Sequence, residues 1–201
     1  RCPSHGGHIY RLPRERCGVI EYELLEFAET PSVFHRRDIP EMPTPQIWWN
    51  RLTKPALVLG STQRDVSIID ANACSAEGID VVRRRSGGGA VLLIPDKVVW
   101  FDVIVPTGSV DGLGDDVHAP MLWLGEHLAT ALAAAVQVGP HVESEGHLEV
   151  KGPGMVTTLW SPLLCFDGIG PGEVLLDGSK LVGISQRRTR AASRLQCCWY
   201  R

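Results

Sequence analysis

Three arginines run directly into three glycines in the stretch VVRRRSGGGAVLL, residues 81–93. Consecutive glycines are costly to order, so Gly87, Gly88 and Gly89 imply positive φ angles or a backbone that something approaches closely. The stretch lacks the GxxxxGK(S/T) pattern of a P-loop, and strand formers rather than a helix follow it, which excludes both common phosphate loops. A strand–loop–strand with adjacent glycines instead lets a ligand lie flat against main-chain N–H groups, with the upstream arginines placed to meet a carboxylate or phosphate. The plain counterpart is a tight hairpin with surface arginines. Because strand residues alternate, Arg83 and Arg85 are expected on one face and Arg84 on the other; which face looks inward is left open. Six cysteines, Cys2, Cys17, Cys74, Cys165, Cys197 and Cys198, form no CxxC pair and no zinc-type spacing, which favours a reducing cytoplasm over a disulfide framework. The HGGH run at His5–His8 has no further ligand nearby, so no metal is expected.

Composition bounds what can hold these residues. A chain of 201 residues, 44% hydrophobic and 21% charged, suits one globular domain with a real core. The net charge of −3 offers no general attraction to nucleic acid or anionic membrane, and the arginine runs lack interleaved aromatics. LATALAAAVQV is about half of the roughly 20 residues that a spanning helix needs. One domain over residues 1–201 is expected, with truncation at its C-terminal end left open and residues 1–50 an irregular amino-terminal segment of it.

Within that segment EYELLEFAE is the expected helix and PQIWWN an expected strand. ALVLG then reads as a buried strand, and DVSIIDANACSAEG as a helix capped by Asp65, with Val66, Ile69 and Ala73 on one face and Gly78 as terminator. IDVVRRR and AVLL flank the glycine loop, and VVWFDVIVP is a long β-run. Met121, Leu124, Leu128 and Leu132 recur at helical spacing in a stretch closed by Gly139-Pro140. Asp177-Gly178 between apolar runs is a strong hairpin signal, and CCWYR reads as strand. The fold class is therefore α+β, with two helices and hairpins covering one sheet.

RRRSGGGAVLL resembles the RR-x-SGGGAV signature of the lipoate-protein ligase, biotin-ligase and octanoyltransferase superfamily, and ALVLGSTQ resembles the strand and turn preceding it there. DGSKLVGISQRRTR, in the right order downstream, is similar to that family's GxK-xxGxxQ-x-R segment. The resemblance spans about residues 55–190 and implies a class II synthetase-like catalytic domain with a mixed, mostly antiparallel sheet. It implies that Ser86, Gly87, Gly88, Gly89 and Ala90 wrap the acyl chain, that Arg83 and Arg84 are the basic pair, that Gly183 belongs to the substrate site, and that Lys180 carries chemistry. A lysine just past a hairpin turn suits this, presenting a compact cation with three donors to an acyl carbonyl. Two family features are missing: the His-Asp pair after the glycines, where only Asp96 of LLIPDK is a candidate, and the Arg-Asn-Asp run before the lysine hairpin.

In place of that run stands LCFDGIGPGEV, and the cysteine-dependent octanoyltransferases resemble it in carrying Cys-Phe-Asp before the lysine. This implies a Cys165 thiolate that takes octanoyl from acyl carrier protein and passes it to a lysine of a lipoyl carrier domain, a glycine-cleavage H protein or a 2-oxoacid dehydrogenase E2, with no cofactor. Lys180 would polarise the thioester carbonyl and favour the thiolate. Three alternatives stand beside it: an ATP- and Mg²⁺-dependent ligase acting through an acyl-adenylate, a non-catalytic binding protein of the same fold, and Cys165 as a small packing residue. The expected setting is cytoplasmic, without nucleic-acid or membrane partners; donor chain, ATP dependence, carrier and oligomeric state are left open.

Overall fold

The nine residues VVWFDVIVP, Val98–Pro106, form a strand with eight of its nine positions buried, as expected of a strand covered on both faces. The computed structural model describes residues 8–12, 20–64, 69–113, 116–138 and 146–201. In chain order the strands are β1 (His8–Leu12), β2 (Ile20–Glu29), β3 (Gln46–Leu52), β4 (Ala56–Leu59), β5 (Asp80–Arg83), β6 (Val91–Leu93), β7 (Val98–Pro106), β8 (Leu148–Val150), β9 (Val174–Leu176), β10 (Ser179–Arg188) and β11 (Ala192–Tyr200). The helices are α1 (Pro31–Arg36), α2 (Ala71–Ala76) and α3 (Ala119–Val138), with a 3-10 turn at Cys165–Asp167. Eight strands make one sheet in the order β1-β2-β3-β7-β11-β10-β9-β8, and β5-β4-β6 make a second. The large sheet is antiparallel at every junction except β2–β3. The expected α+β class with a mixed, mostly antiparallel sheet is the observed one, although two sheets replace the single one.

Alternation along β7 divides the core. Val99, Phe101, Val103 and Val105 face one way, with Leu195 and Cys197 of β11, Val182 and Ile184 of β10, and Leu124 of α3. Met121, Leu128 and Leu132 join that cluster, so the helical spacing read in the sequence is the packed face; its terminator Gly139-Pro140 lies outside the described residues. On the opposite face Trp100 packs with Phe34 of α1 and with Ala56, Val58, Val91 and Leu93 of the small sheet. Phe34 is fully buried, with its ring edge-on to Trp100 at 5.2 Å.

Two local assignments change. EYELLEFAE is strand β2 rather than a helix: a nine-residue helix is marginal by itself, whereas the extended form pairs with β1 on one side and β3 on the other. The segment expected to be irregular thus supplies three strands and α1. In the second, Asp65 and Val66 lie outside the described residues, and the helix begins only after Asp70, whose carboxylate accepts the Ala73 N–H at 2.9 Å. Ala73 is exposed, while Gly78 does follow the helix with φ of 67°. Asp177 and Gly178 both have positive φ, 49° and 77°, as the predicted β9–β10 turn requires.

Helix α1 is held onto the sheet by a buried ion pair. Arg194 and Asp102 meet at 2.5 and 2.8 Å, both almost without exposure, while Arg194 also donates to the carbonyls of Phe34 and Arg37 at 2.8 and 2.6 Å. Phe34 O also accepts the Arg37 N–H at 3.3 Å, so Arg194 reinforces the end of this six-residue helix at carbonyls that a longer helix would bond internally. Among the described residues no helix is long and apolar enough to cross a membrane.

Candidate active site

The register of β7, β11 and β10 puts Trp100, Cys198 and Gly183 in one row, and Asp102, Gln196 and Ser185 in the next. All of these but Asp102, which is fully buried, floor a cleft whose roof is the small sheet with Arg84, the 3-10 turn with Cys165 and Phe166, and His35 of α1. The cleft measures about 440 Å³ counting its open mouth.

Of the three arginines, Arg84 is the one that enters. It is 5% exposed, whereas Arg83 and Arg85 point out together, as alternation predicts. Arg83 turns to the carbonyls of Gly60 and Gln63, and Arg85 to Asp38. The Arg84 guanidinium donates to the carbonyls of Gly87 and Gly89 at 2.7 and 2.9 Å, so it clamps the loop into which it leads. The same Nη2 stands 3.9 Å from Cys165 Sγ. Gly88 has φ of 96°, and a Cβ on Gly89 would lie 2.5 Å from the carbonyl carbon of Leu164. The loop is built for close approach, and what approaches is the backbone before Cys165. Ala90 completes the contact, donating to Leu163 O at 2.7 Å and accepting from Cys165 N at 3.0 Å. Ser86 Oγ donates to Ser185 Oγ at 3.1 Å, tying the loop to the floor.

Lys180 is not the exposed turn residue that its position suggests: its side chain is 3% exposed. The register between β10 and β9 slips by one residue between Lys180 and Val182, a bulge that turns Lys180 away from the α3 side, where Val182 points, to the side of Gly183. There Nζ donates to Cys165 O at 2.6 Å and meets Glu173 Oε2 at 2.8 Å. Glu173, 4% exposed, also accepts the N–H groups of Gly170 at 2.6 Å and Ile184 at 3.3 Å. Burial pushes its carboxyl up from the ordinary glutamate range, and the Lys180 charge opposes that shift. Gly183 leaves room for Phe166, whose ring a Cβ there would touch at 3.4 Å.

Three further side chains line the cleft and a fourth, Glu173, stands behind it on Lys180, none of them singled out in the sequence. Glu173 was legible only as a carboxylate set in the apolar run GEVLL. His35 is 8% exposed, stacks on Trp100 at 4.8 Å, and has neither ring nitrogen hydrogen-bonded. Burial, then the charges of Arg194 and Arg84, lower its pKa to about 3, so the ring is neutral. Gln196 presents an unpartnered Nε2. Cys198 returns to the cleft because β11 runs antiparallel to β10; burial pushes its thiol up to about 12. Its neighbour Cys197 faces the opposite core, as alternation predicts. Asp96 is an exposed residue with φ of 61° in the turn between β6 and β7, and does not line the cleft. Cys2, Cys17 and His5 lie outside the described residues; among the described ones no three His, Cys, Asp or Glu side chains gather as metal ligands.

The described geometry gathers a thiol and an arginine in one cleft, with a buried lysine–glutamate pair and a clamped glycine loop beside it. Octanoyltransferase LipM of Kyrpidia tusciae is 33% identical over 139 residues, 68% of this chain and 47% of that protein, so the chain spans about half the length of this curated relative. The fold is similar to lipoate-protein ligase A bound with ATP, with a TM-score of 0.61 at 15% identity, covering 88% of this chain and 65% of that one. It is also similar to a bipartite archaeal lipoate protein ligase solved in a study of its E2 lipoyl domain from Thermoplasma acidophilum, with a TM-score of 0.55 at 16% identity, covering 88% and 60%. The sequence profile of the lipoyl protein ligase A/B catalytic domain matches residues 32–199, and the chain belongs to that family.

Proposed function

We propose that this chain transfers an octanoyl or lipoyl group to a lysine of a lipoyl carrier domain through an acyl thioester on Cys165. The observation that carries this reading is the contact of Lys180 Nζ with the Cys165 carbonyl at 2.6 Å, while Arg84 stands 3.9 Å from the sulfur. The Cys165 thiolate attacks the carbonyl carbon of octanoyl–acyl carrier protein; the bond to the carrier sulfur breaks and the carrier thiol leaves with a proton. The carrier-domain lysine then attacks the thioester, an amide forms, and the Cys165 thiol is regained with a proton from the amine. An ammonium has three donors, two of them engaged by Cys165 O and Glu173, so one is left for the oxyanion that develops in each step. The similarity to octanoyltransferase LipM supports the same reading. Its setting is the cytoplasm, and its acceptors are an H protein or an E2 lipoyl domain.

The second reading is an ATP-dependent ligase, supported by the fold's likeness to a ligase bound with ATP. It would use lipoate or octanoate, ATP and Mg²⁺, with the metal carried on the nucleotide phosphates. Intact-mass spectrometry separates the two. The transferase reading expects octanoyl–acyl carrier protein to leave a hydroxylamine-sensitive octanoyl adduct on the wild type and none on Cys165→Ser. Full activity of Cys165→Ser with lipoate, ATP and Mg²⁺ would make Cys165 a packing residue.

A further inference from the structure

The surface leading into Cys165 is apolar to an unusual degree. Between residues 155 and 164 the exposures are 82% for Leu159, 65% for Met155, 55% for Trp160 and 54% for Leu164. This segment inverts the ordinary pattern, because its polar side chains are spent on itself. Ser161 Oγ accepts the Thr158 N–H at 2.7 Å, Thr158 Oγ1 accepts the Trp160 N–H at 3.0 Å, and the Thr158 hydroxyl donates to Asp167. The backbone is tied as well: Trp160 O accepts from both Leu163 and Leu164 at 2.8 Å, and Gln63 Nε2 donates to the carbonyls of Pro162 and Leu163. Large apolar side chains are thus held outward on an ordered turn. Past Leu164 the surface continues into a groove between Leu92, Phe166 and Tyr200, where Tyr200 donates to Leu92 O at 2.8 Å.

We propose that this surface docks the acceptor carrier domain, the protein whose lysine receives the acyl group; the proposal rests on the acyl-transfer reading above. Reach decides the occupant. A lysine amine stands on a four-carbon stem, about 6 Å long, so the body of the acceptor must press against the residues that flank the thioester. A thioester on a phosphopantetheine arm is carried several times farther from its protein, and its carrier needs no contact here. Leu164 adjoins Cys165 through one peptide bond, about 3.8 Å between Cα atoms, and Trp160 is hydrogen-bonded to Leu164, so these side chains fall within the required zone. An exposed aromatic accompanied in the same short segment by exposed Met155, Leu159 and Leu164 also has the composition of an interface centre.

The test uses unacylated E2 lipoyl domain and H protein as binding probes, and Leu159→Ser and Leu159→Glu/Trp160→Ser as variants. The expected result is a Kd for the carrier raised at least tenfold in the double variant, with a matching fall in kcat/KM for carrier acylation. Thioester loading from octanoyl-pantetheine and its discharge by hydroxylamine stay within twofold of wild type. Leu159→Ser, at a site 82% exposed, preserves folding and shows the same trend in smaller measure. Carrier binding within twofold of wild type in both variants overturns the proposal, as does wild type binding neither carrier. Parallel loss of loading would make the turn a support for Cys165 rather than a docking surface, and a change confined to self-association would assign it to a second copy. If wild type forms no thioester yet binds carrier through this patch, the thioester reading fails and the docking surface stands.

Discussion

Lys180 and Glu173 form a pair whose burial changes what a substitution does. Had the lysine been an exposed turn residue, Lys180→Ala would cost little stability; with both partners 5% exposed or less, removing either leaves a buried charge uncompensated, about 3–5 kcal/mol. Glu173→Gln keeps the volume and loses the counter-ion. It is expected to lower the denaturation midpoint and to slow single-turnover thioester formation on the order of 10²-fold, because Lys180 is no longer held against the Cys165 carbonyl. Glu173→Gln combined with Lys180→Met should recover stability over either single change while staying inactive. Such a result separates the pair's role in chemistry from its role in folding. If the double variant is no more stable than the singles, the pair is not a closed unit.

Between elements, the contact to test is that of the glycine loop with the turn carrying Cys165. Gly89→Ala forces a Cβ to within 2.5 Å of main chain at Leu164 and 2.7 Å of Cys165 N, so the two segments must part. The expected cost is about 1–3 kcal/mol, as for other overpacked sites, together with an altered rate of Cys165 alkylation by iodoacetamide. Gly87 is the internal control: it has no positive φ and a Cβ there meets nothing within 4 Å, so Gly87→Ala should change stability by no more than about 0.5 kcal/mol. Equal effects at the two positions would mean that the loop is not docked on the cysteine turn.

For the molecule as a whole, the cleft exists because α1 and the small sheet are held over one face of the large sheet, and the neutral His35 sits at that junction between Arg84 and Arg194. Its pKa is about 3 when folded and 6.5 as the ordinary value. Above about pH 6.5 neither state is protonated there and the stability is fully present. As pH falls below 6.5 the unfolded chain takes up a proton that the native state refuses, so stability drops by up to about 1.4 kcal/mol per pH unit toward pH 3. Asp102 and Glu173, whose carboxyls burial raises, slope the other way and are common to wild type and variant. Subtracting the pH profile of His35→Gln from that of wild type, by thermal or urea melts between pH 4 and 7, should therefore expose the histidine term. A difference independent of pH would show that His35 titrates in the native protein as it does in the unfolded chain, so that its ring is not held neutral by burial.

What the sequence by itself determined is what local chemistry decides. Asp177-Gly178 tolerates the positive φ that a tight turn demands, β7 carries β-branched residues, and Met121, Leu124, Leu128 and Leu132 share one helix face. The motif residues around Arg84, Gly89, Cys165 and Lys180 were legible as well, since each sits in a short ordered pattern. The extended state of EYELLEFAE was not, because two neighbouring strands outweigh the helix preference of its Glu and Leu residues. Nor was the choice of Arg84 over its neighbours, the meeting of Glu173 with Lys180, or the return of Cys198 and His35 to the cleft. Each depends on register between strands distant in the chain, and a single bulge after Lys180 reverses which face its side chain takes. Alternation says that two residues lie on opposite faces; only the packing of one sheet over the other says which of those faces is the site.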